Sequence, residues 1–400
     1  MTEVVISHPA QQHSYALACA MEDMNVEYKY ITTVYNKKGG ITNILSSLIL
    51  KGDNKKRSSS RCNPKIKDIN VIQYCEILGL FLLFLQRVDK NQLVCNALKR
   101  YINKVYAKKL AKYLISNNIK KVIVFDQYYY FLMKELKKKN YNLEIILDMS
   151  APAYSFMMKK YKEDIDEFNV NSTDNYLSYI GDQEIKNSNK YLVASSFTSQ
   201  SLKSVDDNIE DNMVFKCVYG IDNVRSGIKV TQETINIIFI GRLTNRKGFH
   251  IFNELASNNK NENINFMALG DIESCSLSEE ELSENIELLG HKPKDQVNKI
   301  LDVCDILIMP SLSDGFGLVV LEAMSRGLVI FCSNSVGAAE LVKSDVNGYR
   351  FSISDYTSLT SLIDVIVRDS EKMDKIKRNS LKMANDYTWE SYYRSVIRAL

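Results

Sequence analysis

Short apolar runs of four to six residues alternate along the chain with stretches whose apolar positions recur every three or four residues. The first run is Val4-Val5-Ile6-Ser7, and residues 12–24 follow with Ala16, Leu17, Ala20, Met21 and Met24 on one helical face. A strand is predicted over 28–32, a polar loop with one short helix over 36–68, and helix throughout 69–118. Strands over 121–125, 143–147, 191–194 and 214–218 then alternate with helices over 128–139, 153–188 and 197–205. Strand–helix alternation of this kind builds a parallel, doubly wound α/β sheet, because each crossover helix must return over a sheet face.

Residues 220–234 are polar and carry turn signals, and the alternation restarts after them. Strands are predicted over 235–240, 264–269, 286–289, 305–309 and 328–331, with helices from 247 and over 294–302, 317–325, 336–342, 357–367 and 389–400. The expected organisation is an N-terminal Rossmann-like domain (1–222) with a helical insertion at about 37–118, and a C-terminal domain (223–385). A final helix (386–400) is expected to pack back on the first domain. A length of 400 residues suits two such cores. Two facing α/β sheets leave a cleft at the carboxyl ends of their strands, where such sheets bind ligands.

Charge and cysteine content narrow the function classes. A net charge of +3 excludes a nucleic-acid polycation. The Lys/Arg surplus is local: between Lys37 and Lys112 there are 17 Lys/Arg against 4 Asp/Glu. The apolar run Ile77-Leu-Gly-Leu-Phe-Leu-Leu-Phe-Leu85 lies inside this region and is nine residues long, about half of a membrane span. It reads either as a buried helix or as a helix docking on anionic lipid. Eight cysteines without a Cys-x-x-Cys pair or a zinc-type spacing read as reduced thiols, hence a cytoplasmic setting, at the inner face of a membrane if the basic region docks there. A first strand starting near Glu3 leaves no room for a signal peptide.

The chemistry concentrates in the second half. In Pro310-Ser-Leu-Ser-Asp-Gly-Phe-Gly-Leu-Val-Val-Leu-Glu-Ala-Met324 a strand ends, a turn spans Asp314–Gly317, and a helix opens. Gly315 and Gly317 permit close backbone approach, and the helix start presents N–H groups suited to phosphate oxygens. Glu322, eight residues after Asp314, is placed to accept hydrogen bonds from vicinal hydroxyls such as those of a ribose, and Asp314 from a sugar. Upstream, Ile240 ends a strand in Gly241-Arg242, and Lys247-Gly248 closes the loop, so two cations face a diphosphate.

Residues 235–400 resemble the C-terminal domain of the family 4 glycosyltransferases. The likeness rests on Gly241-Arg242-Leu243 with Lys247-Gly248, on Ala268-Leu-Gly270-Asp271, and on Leu288-Leu-Gly290. It continues through the 310–324 stretch, Gly337 with Glu340-Leu341, and Asn347-Gly348-Tyr349, with Tyr219-Gly220-Ile221-Asp222 as the linker. The resemblance implies the two-domain GT-B fold and hexosyl transfer from a nucleotide sugar, UDP-linked rather than GDP-linked, with retained configuration. The acceptor it implies is a glycan or lipid-linked glycan of surface polysaccharide synthesis. No cofactor, strict metal requirement or nucleic-acid partner is implied, and peripheral membrane contact is expected. Arg242 and Lys247 match the pair on the donor phosphates, and Glu322 matches the carboxylate on the ribose. Gly270, Gly290, His291, Gly315, Phe316, Gly317 and Leu318 fall in segments that line the nucleotide sugar. Asp314 stands where the family usually has Glu, an arm shorter by one methylene.

The N-terminal half departs further from the family. Its first loop, Ser7-His8-Pro-Ala-Gln-Gln-His13-Ser14, has no glycine but two of the four histidines, and His13 is the stronger site candidate. Asp126 and Asp148 each follow a strand and read either as crevice residues or as helix N-caps; relatives often have His at the position of Asp148. No Gly-x-Gly-x-x-Gly follows a strand, and no Asp-x-Asp or His/Cys cluster has metal spacing, which argues against a dehydrogenase and against a metal-chelating transferase. A nucleotide-sugar epimerase and a non-catalytic scaffold subunit remain the rivals to a transferase.

Overall fold

Thirteen strands in the described residues fall into two sheets, each wholly parallel. The computed structural model describes residues 3–10, 13–49, 61–86, 89, 93–164 and 172–400. The first sheet takes β1 (Val4–Ser7), β2 (Tyr28–Thr32), β3 (Val71–Gln73), β4 (Lys121–Phe125), β5 (Glu144–Met149), β6 (Lys190–Val193) and β7 (Val214–Lys216) in the order β3-β2-β1-β4-β5-β6-β7. The second takes β8 (Ile235–Ile240), β9 (Ile264–Leu269), β10 (Ile286–Leu288), β11 (Ile306–Met309), β12 (Val329–Ser333) and β13 (Gly348–Phe351) in the order β10-β9-β8-β11-β12-β13. The strand order reverses between β1 and β4 and again between β8 and β11, so each sheet carries a ligand-type crevice at its centre.

The central strands read as unbroken apolar runs because helices cover both faces; β4, β11 and β12 are buried almost throughout. The first domain's helices are α1 (Ser14–Asp23), α2 (Ile41–Ile49), α3 (Glu76–Leu85), α4 (Leu93–Ser116), α5 (Tyr129–Lys138), α6 (Tyr154–Asp164), α7 (Ser172–Lys186) and α8 (Ser196–Lys203). The second domain has α9 (Phe249–Asn258), α10 (Lys294–Leu301), α11 (Leu318–Met324), α12 (Ser358–Arg368) and α13 (Ser370–Ala384). The last helix, α14 (Trp389–Arg398), crosses back and packs on α1. One apolar core runs from Ile6 and Phe125 in the first domain through Tyr219 and Tyr392 to Phe316 and Leu307 in the second.

The structure corrects the sequence reading in four places. Residues 69–118 are not helical throughout: Val71–Gln73 pairs in parallel with Tyr30–Thr32 as an edge strand, too short to show a period of its own. The segment after β12 is a 3-10 turn over Gly337–Leu341 rather than an α-helix, and Gly348–Phe351 adds an edge strand that the pattern did not reveal. The apolar run over 77–85 is not a buried helix. In α3 only Gly79 is fully buried, while Ile77, Phe81 and Phe84 are 67, 50 and 58% exposed. Among the described residues no helix is long and apolar enough to cross a membrane. Gln12 and the basic residues of 50–60 lie outside the described residues. Among the described residues no cysteine is in a disulfide, and five of the eight are buried.

Candidate functional site

The loop after β8 starts at Gly241 and reaches α9 through Arg242 and Lys247. Arg242 is exposed and makes no ion pair among the described residues. It lines a cavity of about 420 Å³ with Gly270, Asp271, His291, Lys292, Lys294 and Glu322. These residues come from the carboxyl ends of β8 and β9, the β10–α10 connection and α11, so the second sheet's switch point gathers them. Gly270 is required by packing: a Cβ there sits 1.9 Å from the Gly241 carbonyl oxygen. Gly290 turns the chain in the left-handed region (φ +68°) and is not on the cavity wall, whereas His291 after it is.

Glu322 lies on the cavity side of α11, with the Lys294 ammonium 3.8 Å away. Burial lifts its carboxyl above the ordinary range, opposed by Lys294 and Arg326. The turn before α11 places Gly317 at φ +84°, which an L side chain rarely adopts. Leu318 opens the helix, partly exposed. Lys247 does not point freely into the cleft: its ammonium is hydrogen-bonded to the Asp314 carboxylate, both half-buried. The shorter arm at position 314 therefore ends on a lysine of the same site. Phe316 is buried against the Tyr219 ring, 5.3 Å between centroids, and its side chain is a joint of the core rather than a wall of the cavity.

Gly315 is where the two domains meet. A Cβ on it would stand 2.3 Å from the Ser150 carbonyl oxygen. Its own carbonyl accepts hydrogen bonds from Ser195 Oγ at 2.7 Å and Thr198 Oγ1 at 3.2 Å, and Glu340 accepts from the Ser196 N–H at 3.1 Å. The loop before α11 is thus clamped to the N-terminal domain.

Across this contact His13 Nε2 lies 3.0 Å from Asp148 Oδ1. Burial opposes protonation of the imidazole, but the Asp148 carboxylate, helped by Asp126, outweighs it and raises the pKa above 6.5. The ring packs edge-on to Phe125 and Tyr219. Neither aspartate caps a helix. Asp148 is part of β5, and Asp126 accepts from the backbone N–H and hydroxyl of Ser150 at 3.1 and 2.7 Å. Burial pushes Asp126 up, partly offset by those two bonds. His8 is buried, with Nδ1 accepting from the Ala10 N–H at 2.9 Å, so it shapes the loop.

The structure therefore brings Arg242, Gly270, His291 and Glu322 to one cavity, with the Lys247–Asp314 pair and the Gly315–Leu318 turn in the adjoining loops. It sets His13 and Asp148 on the opposite domain. Sequence reasoning missed Lys294 beside Glu322, the Ser195/Thr198 clamp, and Arg246. The last lines a second, interdomain cavity of about 310 Å³ with Asp126, Tyr154, Met157 and Glu184. Only the Arg-Lys tandem at 246–247 hinted at any of these.

Fold and cleft define a protein of two Rossmann-like domains in the GT-B arrangement. Residues 221–383 match the family described as Glycosyl transferases group 1. An uncharacterized glycosyltransferase of Methanocaldococcus jannaschii is 24% identical over 51% of this chain and 57% of its own. A protein of the cps region of Klebsiella pneumoniae is 31% identical over 51% and 49%. The amylovoran biosynthesis glycosyltransferase AmsK of Erwinia amylovora is 26% identical over 36% and 39%. The chain spans about half the length of the curated relatives it matches. Among solved structures, sucrose-phosphate synthase from Thermosynechococcus elongatus superposes with a TM-score of 0.68 over 100% of this chain and 98% of its own, at 12% identity. Anabaena HepE in complex with UDP-glucose gives 0.64 over 100% and 99%, at 11% identity. At such identities the likeness concerns the fold.

Proposed function

We propose that this protein is a retaining glycosyltransferase that moves a sugar from a UDP-type nucleotide donor to a hydroxyl of a glycan or lipid-linked glycan acceptor in surface polysaccharide synthesis. The observation that carries the reading is the cavity in which an exposed guanidinium (Arg242), an imidazole (His291) and a shielded carboxylate (Glu322) converge at a switch point. A nucleoside diphosphate presents the complementary groups: a diphosphate for Arg242 and ribose hydroxyls for Glu322. The family match over 221–383 covers these residues, and HepE, of the same fold, is known with UDP and with UDP-glucose, which supports the choice of donor.

In the step proposed, the bond between the sugar C1 and the β-phosphate oxygen breaks. The acceptor oxygen bonds to C1 on the same face, and its proton passes to the departing phosphate, leaving a nucleoside diphosphate. Arg242 and Lys247 stabilise the charge that develops on the leaving group. Lys247 turns to the phosphates when the donor enters, which releases Asp314 to accept from a sugar hydroxyl. His13, held by Asp148, faces the reacting centre from the acceptor domain and steadies the acceptor hydroxyl. Closure of the Gly315 contact excludes water that would hydrolyse the donor.

Calorimetric titration with UDP tests the reading. Binding is expected for the unaltered protein, and Arg242→Ala and Glu322→Gln should each weaken it about 10- to 100-fold, the loss of one charge-assisted contact. If neither UDP nor GDP binds, the donor assignment fails and a scaffold role takes its place.

A further inference from the structure

A third cavity, of about 260 Å³, lies in the N-terminal domain at the carboxyl ends of β1 and β2, bounded by α3, α4 and the turn before α5. Its floor is apolar, with Leu82, Leu83 and Ile102, and two cations, Arg61 and Lys99, line it. No carboxylate is on its wall among the described residues. The Lys99 ammonium rests over the Tyr128 ring, 5.4 Å from its centroid, and makes no ion pair among the described residues. Burial lowers its pKa. A desolvated ammonium on the wall of a polar-apolar cavity is complementary to an anion.

The surroundings say what kind of anion. The cavity borders α3, whose Ile77, Phe81 and Phe84 stand exposed, and α2 beside it exposes Ile41, Ile44 and Leu45. The one acid of α3, Glu76, is occupied, accepting from the N–H and hydroxyl of Thr42 at 2.8 and 2.6 Å. Helix α4 carries five lysines and one arginine, with no acid. A free phosphate in water needs no apolar ledge, and a neutral lipid needs no cations, so the combination fits a phosphate attached to a long apolar chain. Tyr128 and Pro9, on the cavity wall, also border the His8 loop, so this anion lies along the same carboxyl edge of the sheet as His13 and Asp148.

We infer that this cavity binds the phosphate of a lipid-linked acceptor, with Lys99 on the phosphate and the lipid chain along the exposed face of α3. The inference rests on the transfer reading and adds to it the chemical class of the acceptor and the place where it is held.

Flotation of the full chain with phosphatidylcholine vesicles tests it, with and without a minor fraction of a long-chain prenol monophosphate. The phosphate-bearing vesicles should bind at least about tenfold more tightly, the worth of one charge-assisted contact. Lys99→Met, which keeps the apolar stem, should remove that gain, and Lys99→Arg should retain it. Phe81→Ser with Phe84→Ser should weaken binding to the same vesicles. Equal binding by Lys99→Met and the unaltered protein overturns the assignment. So does equally tight, Lys99-independent binding to phosphatidylglycerol vesicles of matched charge, which would mean attraction to any anionic surface. UDP titration of the same proteins without lipid keeps the two readings apart. Loss of UDP binding in the unaltered protein strikes the donor site, whereas normal UDP binding with Lys99-independent flotation strikes only this cavity.

Discussion

At the residue scale, two ion pairs bear on the proposed mechanism. His13 and Asp148 are 135 positions apart in the chain and meet only because β1 and β5 flank β4 in one sheet. A folded pKa above the unfolded one means that protonated His13 stabilises the fold fully below about pH 6.5. That contribution is lost as pH rises through the folded value. Asp148→Asn should therefore move the His13 titration downward, read from its imidazole resonances by NMR. In urea unfolding the variant's deficit should be larger near pH 5.5 than near pH 9, and a deficit that ignores pH would show the pair to be neutral. The Lys247 ammonium is hydrogen-bonded to the Asp314 carboxylate, and the proposed mechanism exchanges that partner for the donor phosphates. Asp314→Ala should then leave UDP binding intact or tighter while lowering turnover at least about tenfold, because the released lysine meets the diphosphate but the sugar loses an acceptor of hydrogen bonds. Calorimetry and product release measure the two effects separately; weaker UDP binding in this variant would contradict the proposed exchange of partners.

At the scale of elements, α3 is the instructive case. A helix apolar on all sides ordinarily belongs in a core, and the nine-residue run fits that rule. Here the helix lies over Thr33 and Val34 through Gly79, where a Cβ would come within 2.7 Å of the Val34 side chain. Contact this close admits one face and leaves the rest of the helix outside. Replacing an exposed ring should then cost little: Phe84→Ser is expected to shift stability by no more than about 0.5 kcal/mol, whereas Phe249→Ser in the second core should cost about 3–5 kcal/mol. Denaturant midpoints compare them, and a large loss at Phe84 would mean that α3 is covered. The short strand β3 and the turn over Gly337–Leu341 escaped the sequence reading for a related reason. Three to five residues carry too little periodicity, and a neighbour's edge or the Gly315 carbonyl decides their conformation.

At the scale of the molecule, the two domains are joined by more than the linker. α14 leaves the C-terminal domain and packs on α1, whose N-terminal cap is His13. Gly220 lies directly under its start, where a Cβ would be 2.2 Å from the Trp389 N–H nitrogen. Trp389 Nε1 donates to Asp222 at 3.1 Å, and Lys190 donates to the Ala399 carbonyl at 2.9 Å. Gly220→Ala should displace this helix and, at about 1–3 kcal/mol of overpacking, lower the melting temperature by several degrees. Because the shift acts on α1, it should also lower turnover more than UDP binding, which the proposed function assigns to the other domain. Calorimetry and kinetics on the same protein check both, and unchanged melting would show that the contact yields freely.

The alternation of apolar runs and amphipathic stretches was enough to place most strands and two parallel sheets, since burial on both faces leaves its mark on every central strand. The Gly241–Gly248 loop and the 310–324 stretch were also legible, because close backbone approach and positive φ demand glycine at fixed places in the chain. What those residues do to one another was not. That Lys247 is held by Asp314, that Phe316 is a joint of the core, that His13 meets Asp148, and that α3 faces outward all depend on which elements lie side by side. Local pattern records whether a residue is to be buried, while the packing of distant segments determines against what.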